Sequence, residues 1–462
     1  MASVSEAQWS SRMAFIFAAV GSAVGLGNIW RFPYMAGENG GAAFVLVYIG
    51  FVFLIGLPVL MAELAIGRRG GKSPIGSIAS AAKEAVLNPR WKWLGYLGTF
   101  GGGLGLLSFY SVIAGWVMAY IIQAAMGMFA GIDSAGAGTM MAEFSGSAGT
   151  MTMWHLIFTA VTVFIVGKGI KGGLEKAVTY LMPLLFVILI GLVFYSMAAG
   201  NFSEAVAFLF TPDFSKIDGG VALAAMGQAF FSLSVTVGTM LAYGAYLPKD
   251  ISIPKSAALI ATADTGVALI AGLAIFPLVF AYGLAPDSGP SLIFVTLPIA
   301  FGQMPGGAFV GSLFFILLTI AAITSSISLL EPTASYFEEK FGMTRWRAAT
   351  FGGGIAFLVG LLTVFSNNEW ANMMPFAMFG LEEVGGKIAN WGNIIDFTVS
   401  NIVMPVGGLL IAIMVGWFIK RETMREELDM EAGGAFEIWH VLIKFVCPLA
   451  LIIVIAVGLG WI

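Results

Sequence analysis

Residues 21–33 read GSAVGLGNIWRFP. Three glycines, an asparagine, an arginine and a proline stand there inside a strongly apolar stretch. In a helix interior Gly costs about 1 kcal/mol and Pro about 3 kcal/mol relative to Ala. A helix that only had to cross a bilayer needs none of these residues. The stretch therefore reads as a deliberate break in a membrane helix, and the fold follows from whether a second helix breaks to match it.

The chain has 462 residues, 59% of them hydrophobic and 10% charged, with a mean hydropathy of +0.92. Soluble domains carry roughly 25% charged residues. Apolar runs long enough to cross a hydrocarbon core recur along the sequence, so this is an all-α polytopic membrane protein. Its 60 glycines suit close helix packing in lipid. The single cysteine, Cys447, cannot form an internal disulfide. Two histidines, His155 and His440, are too few for a histidine- or thiolate-based metal enzyme. No basic patch interleaved with aromatics supports nucleic-acid binding. Residues 1–11 are polar and precede a candidate span, so no removable signal peptide is expected.

Hydropathy and punctuation predict about eleven spans, near 12–36, 41–67, 94–126, 152–168, 174–199, 222–246, 257–283, 307–337, 346–366, 392–419 and 437–462. All of the 22 basic residues except Arg31, Lys216 and Lys387 fall in alternate loops or at the span ends beside them. The positive-inside rule makes that face cytoplasmic, in a cell or inner membrane, with the N-terminus inside and the C-terminus outside. The opposite loops, 127–151, 200–221, 284–306 and 367–391, are longer and are expected to carry short capping helices. The motif GGGLG (101–105) lies within an apolar span with no preceding strand and no following Lys-Ser/Thr, so it reads as helix packing rather than a phosphate loop.

The second break is expected at FFSLSVTVG, residues 230–238. Ser232, Ser234 and Thr236 alternate there with apolar residues, and Gly238 follows. Alone, such hydroxyls bond back to a helix carbonyl without breaking it. Yet span six opens a second group of five spans, as span one opens the first. Interrupted segments at matching places in two halves point to an inverted-repeat transporter. Free amides at half-helix N-termini attract a carboxylate and free carbonyls attract a cation. The division expected is a segment 1–11, a first five-helix repeat 12–199, an outer loop with a second repeat 200–419, and a connector with the last span, 420–462.

GSAVGLGNIWRFPYMAGENGGAAF, FFSLSVTVG and ITSSISLLEP together resemble the neurotransmitter:sodium symporters, whose fold is the LeuT type, a 5+5 inverted repeat. The resemblance covers essentially the whole chain. It implies two sodium ions: the first at positions matching Ala23, Asn28, Ser232 and Asp264 with the substrate carboxylate, the second at Gly21, Val24, Ala321, Thr324 and Ser325. It implies a substrate pocket at Ala23, Gly25, Leu106, Tyr110, Phe231, Ser234, Val237, Ser325 and Leu329. Gly25 matches the place where amine transporters carry an aspartate, so glycine suits a substrate with its own carboxylate. Tyr110 matches the tyrosine that binds that carboxylate. Thr236 and Val237 stand where members often keep a more glycine-rich segment, and a mainly apolar pocket of small-to-medium volume is expected.

Chloride-dependent relatives bind the anion through positions matching Tyr48, Gln228 and Ser232, with neutral residues at the positions of Asp264 and Ala268. Here Asp264 supplies the negative charge, so no chloride is expected. Arg31 and Asp396 match an outer gate, and Trp9 and Glu339 match inner-gate residues. The basic partner expected near position 6 is replaced by Glu6, which puts the inner salt bridge in doubt. Glu63 matches a glutamate that supports the broken helices. Many members have twelve spans, whereas eleven are expected here.

The expected function is sodium-coupled import of a neutral amino acid by alternating access. A polar osmolyte or non-α amino acid such as taurine, betaine or a γ-amino acid is the alternative cargo. A non-transporting receptor has no signalling domain to support it, and a channel has no ring of like charges or repeated filter. No nucleophile and base converge, so enzyme chemistry is not expected. The sequence does not decide the oligomeric state.

Overall fold

The computed structural model describes residues 8–461 except positions 290, 385 and 432. Glu6 and most of the N-terminal segment therefore lie outside the described residues. Among those described, nine helices are long and apolar enough to cross a membrane: Ala42–Gly70, Pro89–Ala125, Ala148–Gly167, Ile170–Ala199, Ile253–Ala281, Gly307–Phe341, Arg345–Ser366, Trp391–Phe418 and Gly434–Gly458. A broken pair, Arg12–Ala23 and Gly27–Glu38, bends by 47° and makes the first span. The pieces Gly219–Ser232 and Thr239–Ala245 fill the place of the expected sixth span, and neither is long enough to cross alone. Counted this way, the spans match the sequence reading in order and position.

The first span opens on Ser11, whose hydroxyl accepts from the Ala14 amide at 3.1 Å. It stops at Val24, which turns extended with φ −72° and ψ 102°. The sixth opens on Asp218, whose carboxylate accepts from the Val221 amide at 2.8 Å. It unwinds after Ser232 through a linker in which Ser234, Thr236 and Gly238 all have positive φ, 49°, 71° and 81°. For Gly that conformation is free of penalty; for β-branched Thr it is an outlier.

The third span accommodates this linker because it is glycine-rich at the contact. A Cβ on Gly103 would lie 2.7 Å from Val237 O, and one on Gly102 would lie 3.0 Å from Val237 Cα. GGGLG is thus a close-packing surface, as its sequence context implied.

The eighth span is 78% buried over its most apolar window and runs through the middle of the bundle; the eleventh is 22% buried and lies at the periphery. Between spans, the segments 127–151, 200–221 and 284–306 carry helices Ser134–Gly146, Phe202–Phe210 and Leu292–Gln303. The segment 367–391 differs from expectation in carrying a two-stranded antiparallel hairpin, Glu383–Val384 with Lys387–Ile388. Two short helices, Pro74–Glu84 and Arg421–Leu428, occupy the segments read as cytoplasmic connectors.

Candidate functional site

The two breaks meet. Ser234 Oγ donates to Ser22 O at 3.0 Å, tying the sixth-span linker to the last turn before the first break. Thr236 N donates to Glu63 Oε1 at 2.8 Å, so the buried Glu63 carboxylate of the second span satisfies an amide the unwound helix cannot. That is the supporting role the sequence suggested for Glu63.

Beside this junction sits a polar cluster drawn from four spans. Asn28 Oδ1 accepts from Gly25 N at 3.0 Å. Its Nδ2 lies 2.7 Å from Asp264 Oδ1, 3.0 Å from Asp264 O and 3.1 Å from Ser232 Oγ. Ser232 Oγ donates to Asp264 Oδ2 at 2.6 Å, and Tyr48 OH reaches Ser232 Oγ at 3.2 Å and Asp264 Oδ2 at 3.4 Å. Gln228 Nε2 donates to Gly27 O at 2.8 Å, while its Oε1 is buried without a partner. Asn28, Tyr48, Gln228 and Asp264 are all fully buried.

Among the described residues no ion pair engages Asp264. A carboxylate in an intramembrane interior is expensive unless a cation compensates it. The oxygens of Asn28, Ser232 and Asp264 are hard donors of the kind Na⁺ takes. No group of three or more His, Cys, Asp or Glu suited to a metal ion occurs among the described residues, which leaves carbonyls, hydroxyls and one carboxylate as the chemistry available here.

A second cluster lies where the eighth span crosses the end of the first half-helix. Ser325 Oγ is 3.4 Å from Gly21 O, 3.2 Å from Ser22 O and 3.4 Å from Val24 O. Thr324 Oγ1 donates back to Ile320 O and Ala321 O, at 3.2 and 3.1 Å. Carbonyls at the end of a helix carry its negative pole, so this too is a cation-seeking arrangement. Gly21, Val24, Ala321, Thr324 and Ser325 are brought together as the sequence implied.

Between the clusters, Leu26 N donates to Tyr110 OH at 3.4 Å. Gly25 has no room for a side chain: its Cβ would fall 2.4 Å from Ser325 Oγ and 3.1 Å from Tyr110 OH. Val237 and Leu329 flank Gly103 of the third span, one turn before Leu106. Phe231 lies with its ring against Gly27 and under the Arg31 guanidinium, which is 4.4 Å from the ring centroid.

Above Phe231 opens a cavity of about 420 Å³ lined by Trp30, Arg31, Tyr34, Phe109, Phe231 and Asp396 among others. Arg31 and Asp396 share this cavity, and no ion pair among the described residues joins them; Asp396 accepts from Ser400 Oγ at 3.2 Å.

Trp9 is buried with its indole donating to Tyr243 O at 3.3 Å. Glu339 accepts from Ser73 N at 2.6 Å, at the start of the helix Pro74–Glu84. A buried pair went unnoticed in the sequence. Glu331, 0% exposed, meets Arg345, which also donates to Val166 O at 2.9 Å, and Tyr246 OH donates to Glu331 at 2.9 Å. An acid inside the apolar motif ITSSISLLEP was the available signal.

Comparison with known proteins gives a consistent result. A model of the sodium:neurotransmitter symporter family matches residues 6–130 and 139–460. The uncharacterised sodium-dependent transporter YhdH of Bacillus subtilis is 38% identical over 452 residues, 97% of this chain and 96% of that protein. An uncharacterised sodium-dependent transporter of Haemophilus influenzae is 34% identical over 96% of both chains. The crystal structure of MhsT in complex with L-phenylalanine superposes with a TM-score of 0.87 at 42% identity, covering 98% of this chain and 99% of that one.

Proposed function

The chain belongs to the sodium:neurotransmitter symporter family, and on that premise we propose that it couples inward sodium flow to uptake of a neutral, apolar α-amino acid. The observation that carries the reading is the fully buried Asp264 carboxylate, set among Asn28, Ser232 and Tyr48 beside the two helix breaks with no basic side chain paired to it. Sodium held by Ala23, Asn28, Ser232 and Asp264 balances that charge, and the substrate carboxylate completes the shell. A second sodium rests on the carbonyls of Gly21, Val24 and Ala321 and the hydroxyls of Thr324 and Ser325.

The substrate carboxylate lies at Gly25 and Tyr110, and its side chain lies among Leu106, Phe231, Val237 and Leu329, with Ser234 and Ser325 at the edge. MhsT holds L-phenylalanine, which extends the small-to-medium side chains expected here to one aromatic candidate. Because Asp264 supplies the negative charge, transport is chloride-independent. Residues 12–199 and 200–419 act as two inverted repeats, with the N-terminus inside and the C-terminus outside. Arg31 and Asp396 close the outer side, and helices 1–2 and 6–7 move against the remainder.

Thermal stabilisation of the purified protein by a panel of amino acids and osmolytes, in chloride-free Na⁺ and K⁺ buffers, tests the reading, since a ligand stabilises the folded state by mass action. The expected result is a shift from apolar α-amino acids in Na⁺ only. A shift confined to taurine, betaine or a γ-amino acid would replace the substrate and keep the fold.

A further inference from the structure

Glu6 stands where an inner salt bridge would need a basic residue, and Glu339 accepts from the Ser73 amide. What holds the N-terminal arm is visible three residues further on from Glu6. Trp9 N donates to Tyr246 O at 3.3 Å and its indole to Tyr243 O at 3.3 Å, while its ring packs edge-on against Tyr243 at 5.2 Å and against Tyr246 at 6.4 Å. Trp9 thereby fastens the arm to the inner half of the sixth span. Ser10 then fastens it to a different helix. Its amide donates to Glu175 Oε2 at 3.2 Å and its hydroxyl donates to Glu175 Oε1. Ser11, next in sequence, caps the first helix.

We propose that the Glu175 carboxylate, taking both donors of Ser10, is the inner latch of this transporter, a lock of one acid and neutral donors in place of an ion pair. Glu175 stands where the fifth span passes from the wide turns of Ile170–Glu175 into regular helix at Lys176, and Thr179 Oγ1 donates to its backbone carbonyl at 2.8 Å. That bond uses the backbone carbonyl, and both carboxylate oxygens accept from Ser10 of the arm. Residues 9–11 are three consecutive positions bound to three different helices, the sixth, the fifth and the first. The arm cannot swing with the first half-helix unless the Ser10–Glu175 contact parts. Two hydrogen bonds to one solvent-accessible carboxylate are enough to bias a closed inner side and weak enough to release in each cycle.

This inference rests on the transport reading, and its test reads the arm rather than transport. Tyr243 lies buried beneath Trp9, so Tyr243→Cys in a Cys447→Ala background reports arm opening through its alkylation rate in Na⁺ buffer. Ser10→Ala and Glu175→Ala are each expected to raise that rate at least fivefold, and the double variant no further than Glu175→Ala alone. Lys176→Ala, the neighbouring charge, is expected to leave it unchanged, and Trp9→Ala is the positive control. Unchanged rates in Ser10→Ala and Glu175→Ala, with Trp9→Ala accelerated, would overturn the latch, as would strictly additive effects in the double variant. If Glu175→Ala does not fold, Ser10→Ala carries the same decision. A protein that shows no sodium-dependent ligand response but passes this test would lose the proposed cargo and keep the latch.

Discussion

Asn28 and Asp264, 236 positions apart, are joined twice: the Asn28 amide nitrogen lies 2.7 Å from the Asp264 carboxylate and 3.0 Å from its backbone carbonyl. The first helix break is thereby pinned to the seventh span through the same carboxylate that lacks a basic partner. Asp264→Asn keeps the shape and removes the charge. Sodium affinity, measured by titrating thermal stabilisation, is expected to fall about tenfold, or ~1.4 kcal/mol, and substrate uptake to become chloride-stimulated. Uptake by the unmodified protein that needs chloride would exclude Asp264 as the compensating charge.

Gly25 is predicted to be intolerant of even one methyl group. In Gly25→Ala the new Cβ meets Ser325 Oγ at 2.4 Å, so substrate-dependent stabilisation is expected to weaken at least about tenfold. Removing that oxygen should return part of the loss. Gly25→Ala is therefore expected to do less harm in a Ser325→Ala background than in the parent, a coupling read from a double-mutant cycle on substrate affinity. Equal losses in both backgrounds would mean that the clash is not what excludes a side chain.

Span order and the first break were legible because apolar length, Gly/Pro punctuation and charge placement are local properties of the chain. The residues of the proposed ion and substrate cluster could be named from the sequence too, but only through the family motifs. No spacing rule joins Asn28 to Asp264 or Ser325 to the Gly21 carbonyl. The left-handed backbone of Thr236 was not legible, because a β-branched residue argues against that conformation and only the packing around it enforces it. Nor was the fate of Glu339, since an exposed acid shows nothing in sequence of the amide it will accept from.

Thr236 carries a penalty that glycine would not. At φ 71° a left-handed residue costs roughly 1–2 kcal/mol, and the buried Thr236 hydroxyl has no partner. Against this stands the Cγ2 methyl packed near Gly408, a contact of about 0.8 kcal/mol. Thr236→Gly should therefore raise the melting temperature in Na⁺ buffer, by on the order of 2 °C. A fall of several degrees would show that the side chain stabilises the linker more than its backbone strains it.

Two ion pairs, Glu331–Arg345 and Arg69–Glu84, should differ sharply in what their loss does. Glu331 is fully buried, and Arg345 beside it is nearly so; Arg69 and Glu84 are both substantially exposed. Removing one partner of a buried pair leaves an uncompensated charge and typically destabilises by about 3–5 kcal/mol, whereas an exposed pair contributes about 0–1 kcal/mol. Arg345 keeps its bonds to Val166 O and Glu338 when Glu331 is lost, so the cost falls below that of a buried charge left wholly unpaired but stays above that of the exposed pair. Glu331→Gln is therefore expected to lower the melting temperature by several degrees and Glu84→Gln by less than one. The Arg69 hydrogen bond holds the Glu84 carboxyl below the usual range, so whatever that pair contributes is present at neutral pH and fades only as the pH falls through the lowered value. Melting curves of both variants at neutral pH separate the cases, and equal shifts would refute the contrast in burial as its cause.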